Sequence, residues 1–171
     1  MTTCLVLITL LLYPFTTREA SDMATLKISS TAFALNGSIP SKYTCDGADV
    51  NPPLTIENVP TEAKSLVLIV DDPDAPVGTW VHWVMWNINP SAKEIKENSV
   101  PQGASQGMTD FRKQKYGGPC PPSGTHRYFF KLYAIDSMLS LSPNAIKAVV
   151  EGAMKGHILA QTELIGLYSR K

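Results

Sequence analysis

The sequence lacks an excess of charge of either sign. Its 15 Lys and Arg balance 15 Asp and Glu, so the formal net charge is zero. Proteins that bind nucleic acid over a broad surface usually carry a basic excess or a basic stripe. The balance therefore predicts no nucleic-acid partner, although it leaves room for a local basic patch. With 171 residues, 44% of them hydrophobic, the chain has the length and composition of a globular protein with a real core.

The chain also lacks an apolar run long enough to cross a bilayer. Residues 5–12 form an apolar run that is too short to span a membrane, so we predict no stable membrane insertion. The run would suit the core of a signal peptide. However, no Lys or Arg precedes it, and Arg18 spoils the cleavage site expected before Ser21.

Two explanations of this leader stay open. Residues 1–22 are either an atypical export signal or translated sequence upstream of a true start at Met23. In both cases we predict a single domain over residues 23–171. We predict a cytoplasmic location, with export as the alternative if residues 1–20 act as a signal peptide.

Cysteine is scarce. The chain has three, with no CxxC pair, so no disulfide framework is indicated. Cys4 lies in the leader, whereas Cys45 and Cys120 lie in turn-rich loops. We favour free thiols near a pocket for these two, and a bridge between them is the alternative because the sequence does not give their separation.

Spacings typical of metal sites are missing as well, since no HxH, HxxxH or HExxH pattern occurs. One GxSxG match exists, at residues 103–107, but it lies in a polar loop and does not follow a buried-looking strand, as the nucleophile turn of a serine hydrolase would. We therefore predict no metal, no cofactor and no enzymatic activity. A cryptic hydrolase is the alternative, with Ser123 or Cys120 as a nucleophile beside a histidine.

What the chain does contain is a series of short strand patterns separated by turn residues. Apolar, β-branched or alternating runs predict strands at 65–70, 81–88, 128–135 and 158–168. On the second of these, alternation places His82 on one face with Val84 and Trp86. Many strands and turn signals predict a mainly β fold, an antiparallel β-sandwich.

One helix is predicted, over about 143–155. Ser142 is a suitable N-cap, Pro143 suits the first helical position, and Gly156 is a plausible stop. Apolar residues recur at helical spacing between them, which indicates a face packed on the core.

Two clusters of chemically active residues stand out. The segment Asp72-Pro73-Asp74-Ala75-Pro76 follows a buried-looking strand and is soon followed by Trp80-Val81-His82-Trp83. The second cluster, 117–122, is rich in Gly and Pro and leads into His126-Arg127-Tyr128. Loops of this kind often present functional side chains. We predict that the clusters meet in a preformed pocket with two His, two Asp and one Tyr.

These residue types suit an anion. Imidazoles donate hydrogen bonds to an anion and add positive charge when protonated. We expect Gly118 to turn its N–H toward the ligand, as exposed backbone N–H groups can do. Trp80 would supply an apolar wall and Tyr128 a hydroxyl donor.

The two carboxylates need a different explanation, because they repel anions. We expect Asp72 to act indirectly, by accepting a hydrogen bond from an imidazole and fixing its tautomer, and we expect its loop to hold His82 in place. Asp74 either supports a histidine in the same way or caps the loop backbone. The prolines, Pro76 among them, make the loop a rigid support.

In combination and order, these motifs resemble the phosphatidylethanolamine-binding protein family, also called Raf kinase inhibitor-like, and particularly its bacterial and archaeal branch. The resemblance covers residues 26–168 and also rests on Tyr43-Thr44-Cys45-Asp46-Gly47 and Asn51-Pro52-Pro53-Leu54. It implies a sandwich of antiparallel sheets with a small pocket that binds phosphate-like groups, including the phosphoethanolamine head group. The ligand-binding residues that it implies are Asp72, Trp80, His82, Gly118, Pro119, His126 and Tyr128.

The resulting functional prediction is non-enzymatic binding of a phosphate-like anion or a phosphorylated small ligand. The alternative is a regulatory inhibitor of a protease or kinase, which would use the pocket rim and the polar loop 101–114. The chain ends after its last predicted strand, where animal members of the family carry a helix beside the pocket. We therefore expect either a more open pocket mouth or a rim supplied by a homodimer partner.

Overall fold

The structure, a computed structural model, describes residues 25–170. This part of the chain contains nine strands and one α-helix. The predicted leader lies outside these residues. The strands are β1 (Lys27–Ser29), β2 (Gly37–Ser38), β3 (Leu54–Glu57), β4 (Ser65–Asp72), β5 (Trp80–Ile88), β6 (Glu94–Ile95), β7 (Ser105–Gln106), β8 (His126–Ile135) and β9 (Ile158–Tyr168). The α-helix is α1 (Lys147–Met154), and a short 3-10 helix covers Ser41–Tyr43.

The strands form two sheets. A small sheet has the order β1-β3-β6, and a large one has the order β2-β9-β8-β4-β5-β7. All pairings are antiparallel except that of β2 with β9. Ile28 and Ile56 of the small sheet share one buried cluster with Leu68 and Phe130 of the large sheet. The predicted mainly β sandwich is confirmed.

The helix covers the opposite face of the large sheet. Val150 and Met154 of α1 are buried with Val67, Ile69 and Trp86. Every residue of β4 is therefore buried, since both of its faces are covered. This explains its continuous apolar sequence. Within residues 25–170, no helix is long and apolar enough to cross a membrane.

The helix begins later than predicted. It starts at Lys147, not at about 143, and Ile146 at the N-cap position makes no side-chain cap. Ser142 closes a turn instead, because its carbonyl accepts the N–H of Ala145 at 2.8 Å. The carbonyl of Ala145 in turn accepts the N–H of Met108 at 2.9 Å. This pairing with a distant loop holds the backbone out of the helix until residue 147.

A β-bulge changes the alternation in β5. Val70 of β4 pairs with Trp83, whereas Asp71 pairs with Val81, which leaves His82 as an extra residue. Val81 and Val84 consequently both face the helix side. His82 turns to the sandwich side, where its ring meets Tyr128. The predicted common face of His82 with Val84 and Trp86 is therefore wrong.

A buried carboxylate joins the helix to the sheet. Asp71 is fully buried in β4 and binds Lys131 of β8 and Lys147 of α1. Removing one partner of a buried ion pair typically costs about 3 to 5 kcal/mol. Both lysines keep some contact with solvent, so the cost here is smaller.

Asp71→Asn is expected to lower the free energy of unfolding by about 2 kcal/mol, because two lysines lose their shared carboxylate. Urea denaturation measures this directly. Asp136→Asn is the matched control, since Asp136 also pairs with a basic side chain, that of His157, but is exposed. We expect the control to lose less than about 0.5 kcal/mol. Equal losses in the two variants would contradict the anchoring role of Asp71.

Candidate functional site

The predicted clusters meet at one end of the large sheet. β4 ends there, β5 and β8 begin there, and the loops between them surround a cleft of about 270 Å³. Most of its wall is apolar, with two imidazoles and one carboxylate. The lining residues are Asp72, Ala75, Pro76, Val77, Trp80, His82, Phe111, Cys120, Pro121, Pro122 and His126.

One imidazole is oriented by a carboxylate. Nδ1 of His126 lies 2.7 Å from Oδ2 of Asp72, and both residues are buried, with 7% and 3% of their surface exposed. A carboxylate only accepts hydrogen bonds, so Nδ1 carries the hydrogen and donates it. The other oxygen of Asp72 accepts the N–H of Asp74 at 2.8 Å. This arrangement fixes the tautomer of His126 and leaves its Nε2 for a ligand.

The second imidazole is oriented by a backbone carbonyl. Nδ1 of His82 donates to the oxygen of Gly117 at 2.7 Å. Asp72 orients an imidazole as expected, but it is that of His126, so the expectation that its loop holds His82 is wrong. Burial lowers the pKa of His82, so its ring is neutral at pH 7. In that state Nε2 of His82 is a hydrogen-bond acceptor.

Tyr128 lies next to His82. Tyr128 is fully buried, and its hydroxyl forms no hydrogen bond of regular geometry with another described residue, although Asp72 and the backbone of Cys120 lie close to it. Burial and the nearby Asp72 raise its pKa, so the phenol keeps its proton. Buried polar groups without a partner are uncommon and call for an explanation, such as a bound water or ligand. Tyr128 packs edge-on against His82, with ring centroids 5.2 Å apart, but does not line the cleft wall.

Gly118 and Pro119 lie behind the wall of the cleft. The N–H of Gly118 donates to Oδ1 of Asp49 at 2.6 Å, so the predicted N–H directed at a ligand is wrong. A Cβ at Gly118 would lie 2.7 Å from Cα of Thr44, which explains why glycine stands there. The carbonyl of Pro119 accepts the N–H of Cys45 at 3.1 Å. Contact of Pro119 with a ligand stays a prediction.

Cys45 and Cys120 form a disulfide, with Cα atoms 5.4 Å apart. The favoured interpretation as free thiols is therefore wrong, and the alternative is correct. The sequence did not reveal this because 75 positions separate the two cysteines. The bond links the wall of the cleft, at Cys120, to the loop that follows the 3-10 helix.

The two aspartates of the first cluster have different partners. Asp74 binds the guanidinium of Arg127 through both oxygens, at 2.8 and 2.6 Å. Arg127 holds the pKa of Asp74 at about 2. Asp74 thus fastens the β4–β5 loop to β8, and the backbone cap that we considered for it belongs to Asp72. Pro76 lies in the cleft wall, as part of that loop.

Sequence reasoning missed Phe111. Its ring packs edge-on against Trp80 and His82, with centroids 5.5 and 5.2 Å away. It comes from a polar loop without strand or helix periodicity, so no pattern indicates it. A lone aromatic in such a loop is the one available signal. Within residues 25–170, no group of three His, Cys, Asp or Glu side chains is placed to hold a metal ion.

Comparison with known proteins agrees with the motifs. The family model of phosphatidylethanolamine-binding proteins matches residues 29–169. A UPF0098 protein of Methanothermobacter thermautotrophicus is 51% identical over 150 residues, which cover 85% of this chain and 99% of that protein. A UPF0098 protein of Pyrococcus horikoshii is 51% identical over 159 residues, covering 88% and 79%.

Solved structures give the same result. A homolog of phosphatidylethanolamine-binding proteins from Chlamydia trachomatis superposes with a TM-score of 0.83 at 41% identity, covering 86% of this chain and 99% of that one. YbcL of E. coli, described as a member of the mammalian PEBP family, superposes with a TM-score of 0.81 at 29% identity, covering 86% and 100%. None of these names describes a catalytic activity. The chain belongs to the phosphatidylethanolamine-binding protein family.

Proposed function

We propose that the cleft binds a phosphate-like anion or a phosphorylated small ligand without catalysing a reaction. The observation that carries this proposal is the buried pair of His126 and Asp72. A histidine fixed through Nδ1 offers Nε2 in one direction, and a protonated ring donates from it to an anionic oxygen. His82 stands beside it with its own Nε2 available.

The carboxylate in the cleft does not argue against an anion. Asp72 already accepts hydrogen bonds on both oxygens, from His126 and from the N–H of Asp74. These two donors offset part of its charge, and Asp72 supports the ligand indirectly by orienting the imidazole of His126. Tyr128 can add its hydroxyl, directly or through a water.

The apolar walls suit the carbon part of a phosphate ester. Trp80, Phe111 and the prolines of both loops exclude water, which strengthens the polar contacts at the imidazoles. A volume of about 270 Å³ is at the small end for ligand sites, so the cleft holds a head group rather than a large molecule.

We also propose that the cleft catalyses no reaction, because neither candidate nucleophile is available in it. Cys120 is joined to Cys45 and offers no thiol. Ser123 is not among the residues that line the cleft. A panel of phosphate and carboxylate esters would test this, because turnover that is lost in His82→Ala would establish a hydrolase.

Phosphate should shift the proton resonances of His82 and His126 but not those of His157. His157 is a built-in control, because it is exposed and pairs with Asp136 outside the cleft. Titration with inorganic phosphate and with phosphoethanolamine, followed by NMR, checks this. Unchanged resonances for both cleft histidines would contradict the proposal.

Binding should weaken as the pH rises. The free pKa of His82 lies below its ordinary value because of burial, and a bound anion favours the protonated ring. The complex therefore takes up a proton, and affinity falls as the pH rises through the interval between the free and bound pKa values. Sulfate should follow the same trend. Because it does not titrate in this range, it separates the histidine from the second ionisation of phosphate.

The cellular location stays a proposal too. The disulfide favours the exported alternative over the cytoplasmic one, because cytosolic thiols are usually kept reduced. N-terminal sequencing of the native protein decides between them. A first residue at Met23 or Ala24 would contradict export.

A further inference from the structure

A basic turn lies beside the cleft. Arg112, Lys113 and Lys115 are exposed, and none of them forms an ion pair with another described residue. The same turn holds one acidic residue, Asp110, whose carboxylate accepts the N–H of Val81, so its three cations outnumber its one anion and the turn is locally positive. Phe111 belongs to the same turn, and its ring forms part of the cleft wall.

A second depression of about 80 Å³ adjoins the cleft at this turn. Lys113 and Lys115 line it, together with Asp49 and backbone of the Gly117–Gly118 segment. Phe111 and Cys120 line both the depression and the cleft, so they form the ridge between the two. One water needs roughly 10 to 15 Å³ of such space, so the depression has room for several waters or for one small group.

The charges of the depression favour an anionic group. Two lysines face one carboxylate, that of Asp49, and this carboxylate already accepts the N–H of Gly118 at 2.6 Å. Among the described residues, Asp49 is the one carboxylate that lines the depression. The recessed shape fits a discrete group better than a flat membrane surface or a long chain.

We infer that the cleft and the second depression together bind a small molecule with two phosphate groups. The first group would contact His126 and His82, and the second would contact Lys113 and Lys115 across the Phe111 ridge. This inference rests on the proposed function, because it assigns the first phosphate to the cleft.

Propane-1,3-diol bisphosphate and propyl phosphate are the probes that test it, with calorimetry as the measurement. We expect the bisphosphate to bind at least about tenfold more tightly to the unaltered protein. The double variant Lys113→Gln/Lys115→Gln should lose about tenfold for the bisphosphate, the order expected for two partly exposed ion pairs. Its affinity for propyl phosphate should change less than about twofold.

The matched control is Lys64→Gln/Lys93→Gln, which removes the same charge from two exposed lysines outside both depressions. This control should bind both probes as the unaltered protein does. If the Lys113/Lys115 variant lost equal affinity for the two probes, the lysines would act only by long-range electrostatic attraction. That result would overturn the inference. Tighter binding to anionic lipid vesicles than to the bisphosphate, lost in the same variant, would also overturn it.

The two proposals fail in different ways. If propyl phosphate and the bisphosphate both fail to bind, the proposed function falls and this inference falls with it. If both bind equally well to the unaltered protein, the inference alone is overturned.

Discussion

Cys120→Ser is expected to lower the free energy of unfolding by about 4 kcal/mol, because the disulfide closes a long loop. The two cysteines are 75 positions apart, and a bond across such a separation removes much of the freedom of the unfolded chain. Urea denaturation of the oxidised protein and of the variant measures the difference. This is a large part of the total stability that is typical of a domain of this size.

Reductant provides the control for this experiment. Dithiothreitol should bring the unaltered protein close to the stability of Cys120→Ser and should leave the variant itself unchanged. Cys45→Ser should match Cys120→Ser, since either change removes the same bond. If reduction leaves the stability of the unaltered protein as it was, the bond contributes nothing and the prediction is wrong.

His126→Ala is expected to weaken phosphate binding about 100-fold, the cost of losing one charge-assisted hydrogen bond. The substitution also leaves the carboxylate of Asp72 without its imidazole, close to where the anion binds. Both effects act in the same direction. Calorimetry with inorganic phosphate measures the loss, and unfolding curves show whether the variant is still folded.

Two further variants make this result specific. His157→Ala removes an exposed histidine elsewhere and should leave phosphate affinity unchanged. Asp72→Asn separates two effects of the carboxylate that oppose each other. If Asp72 mainly orients His126, affinity falls; if it mainly repels the anion, affinity rises. We expect a fall of at least about tenfold, as for other groups that orient a binding histidine. A rise would contradict the role assigned to Asp72.

The longer strands were predictable from the sequence, and the two-residue strands were not. β4, β8 and β9 carry apolar or alternating runs long enough to show a period. β2, β6 and β7 have two residues each, and they exist because a longer strand or a neighbouring segment pairs with them. The start of α1 was missed for a related reason, since the Met108 contact that delays it is remote in sequence.

The identity of the residues in the site was also more predictable than the contacts between them. Asp72, Trp80, His82 and His126 all line the cleft, as their clustering in two motifs indicated. Which carboxylate meets which imidazole depends on strand order, and β4 lies between β5 and β8. Asp72 could therefore reach either histidine, and only the three-dimensional arrangement shows that it binds His126. The disulfide depends on the same kind of long-range information.

The bulge in β5 makes the site sensitive to insertions and deletions. Because His82 is the extra residue, removing one position between Val81 and Trp83 would restore regular pairing at this end of β5 and keep both apolar faces. It would nevertheless delete the imidazole from the cleft. Conversely, grafting the Trp-Val-His-Trp segment onto a regular strand would turn its histidine to the wrong side of the sheet. A single-residue gap here, in a relative or in a design, therefore marks the loss of the cleft more clearly than most substitutions would.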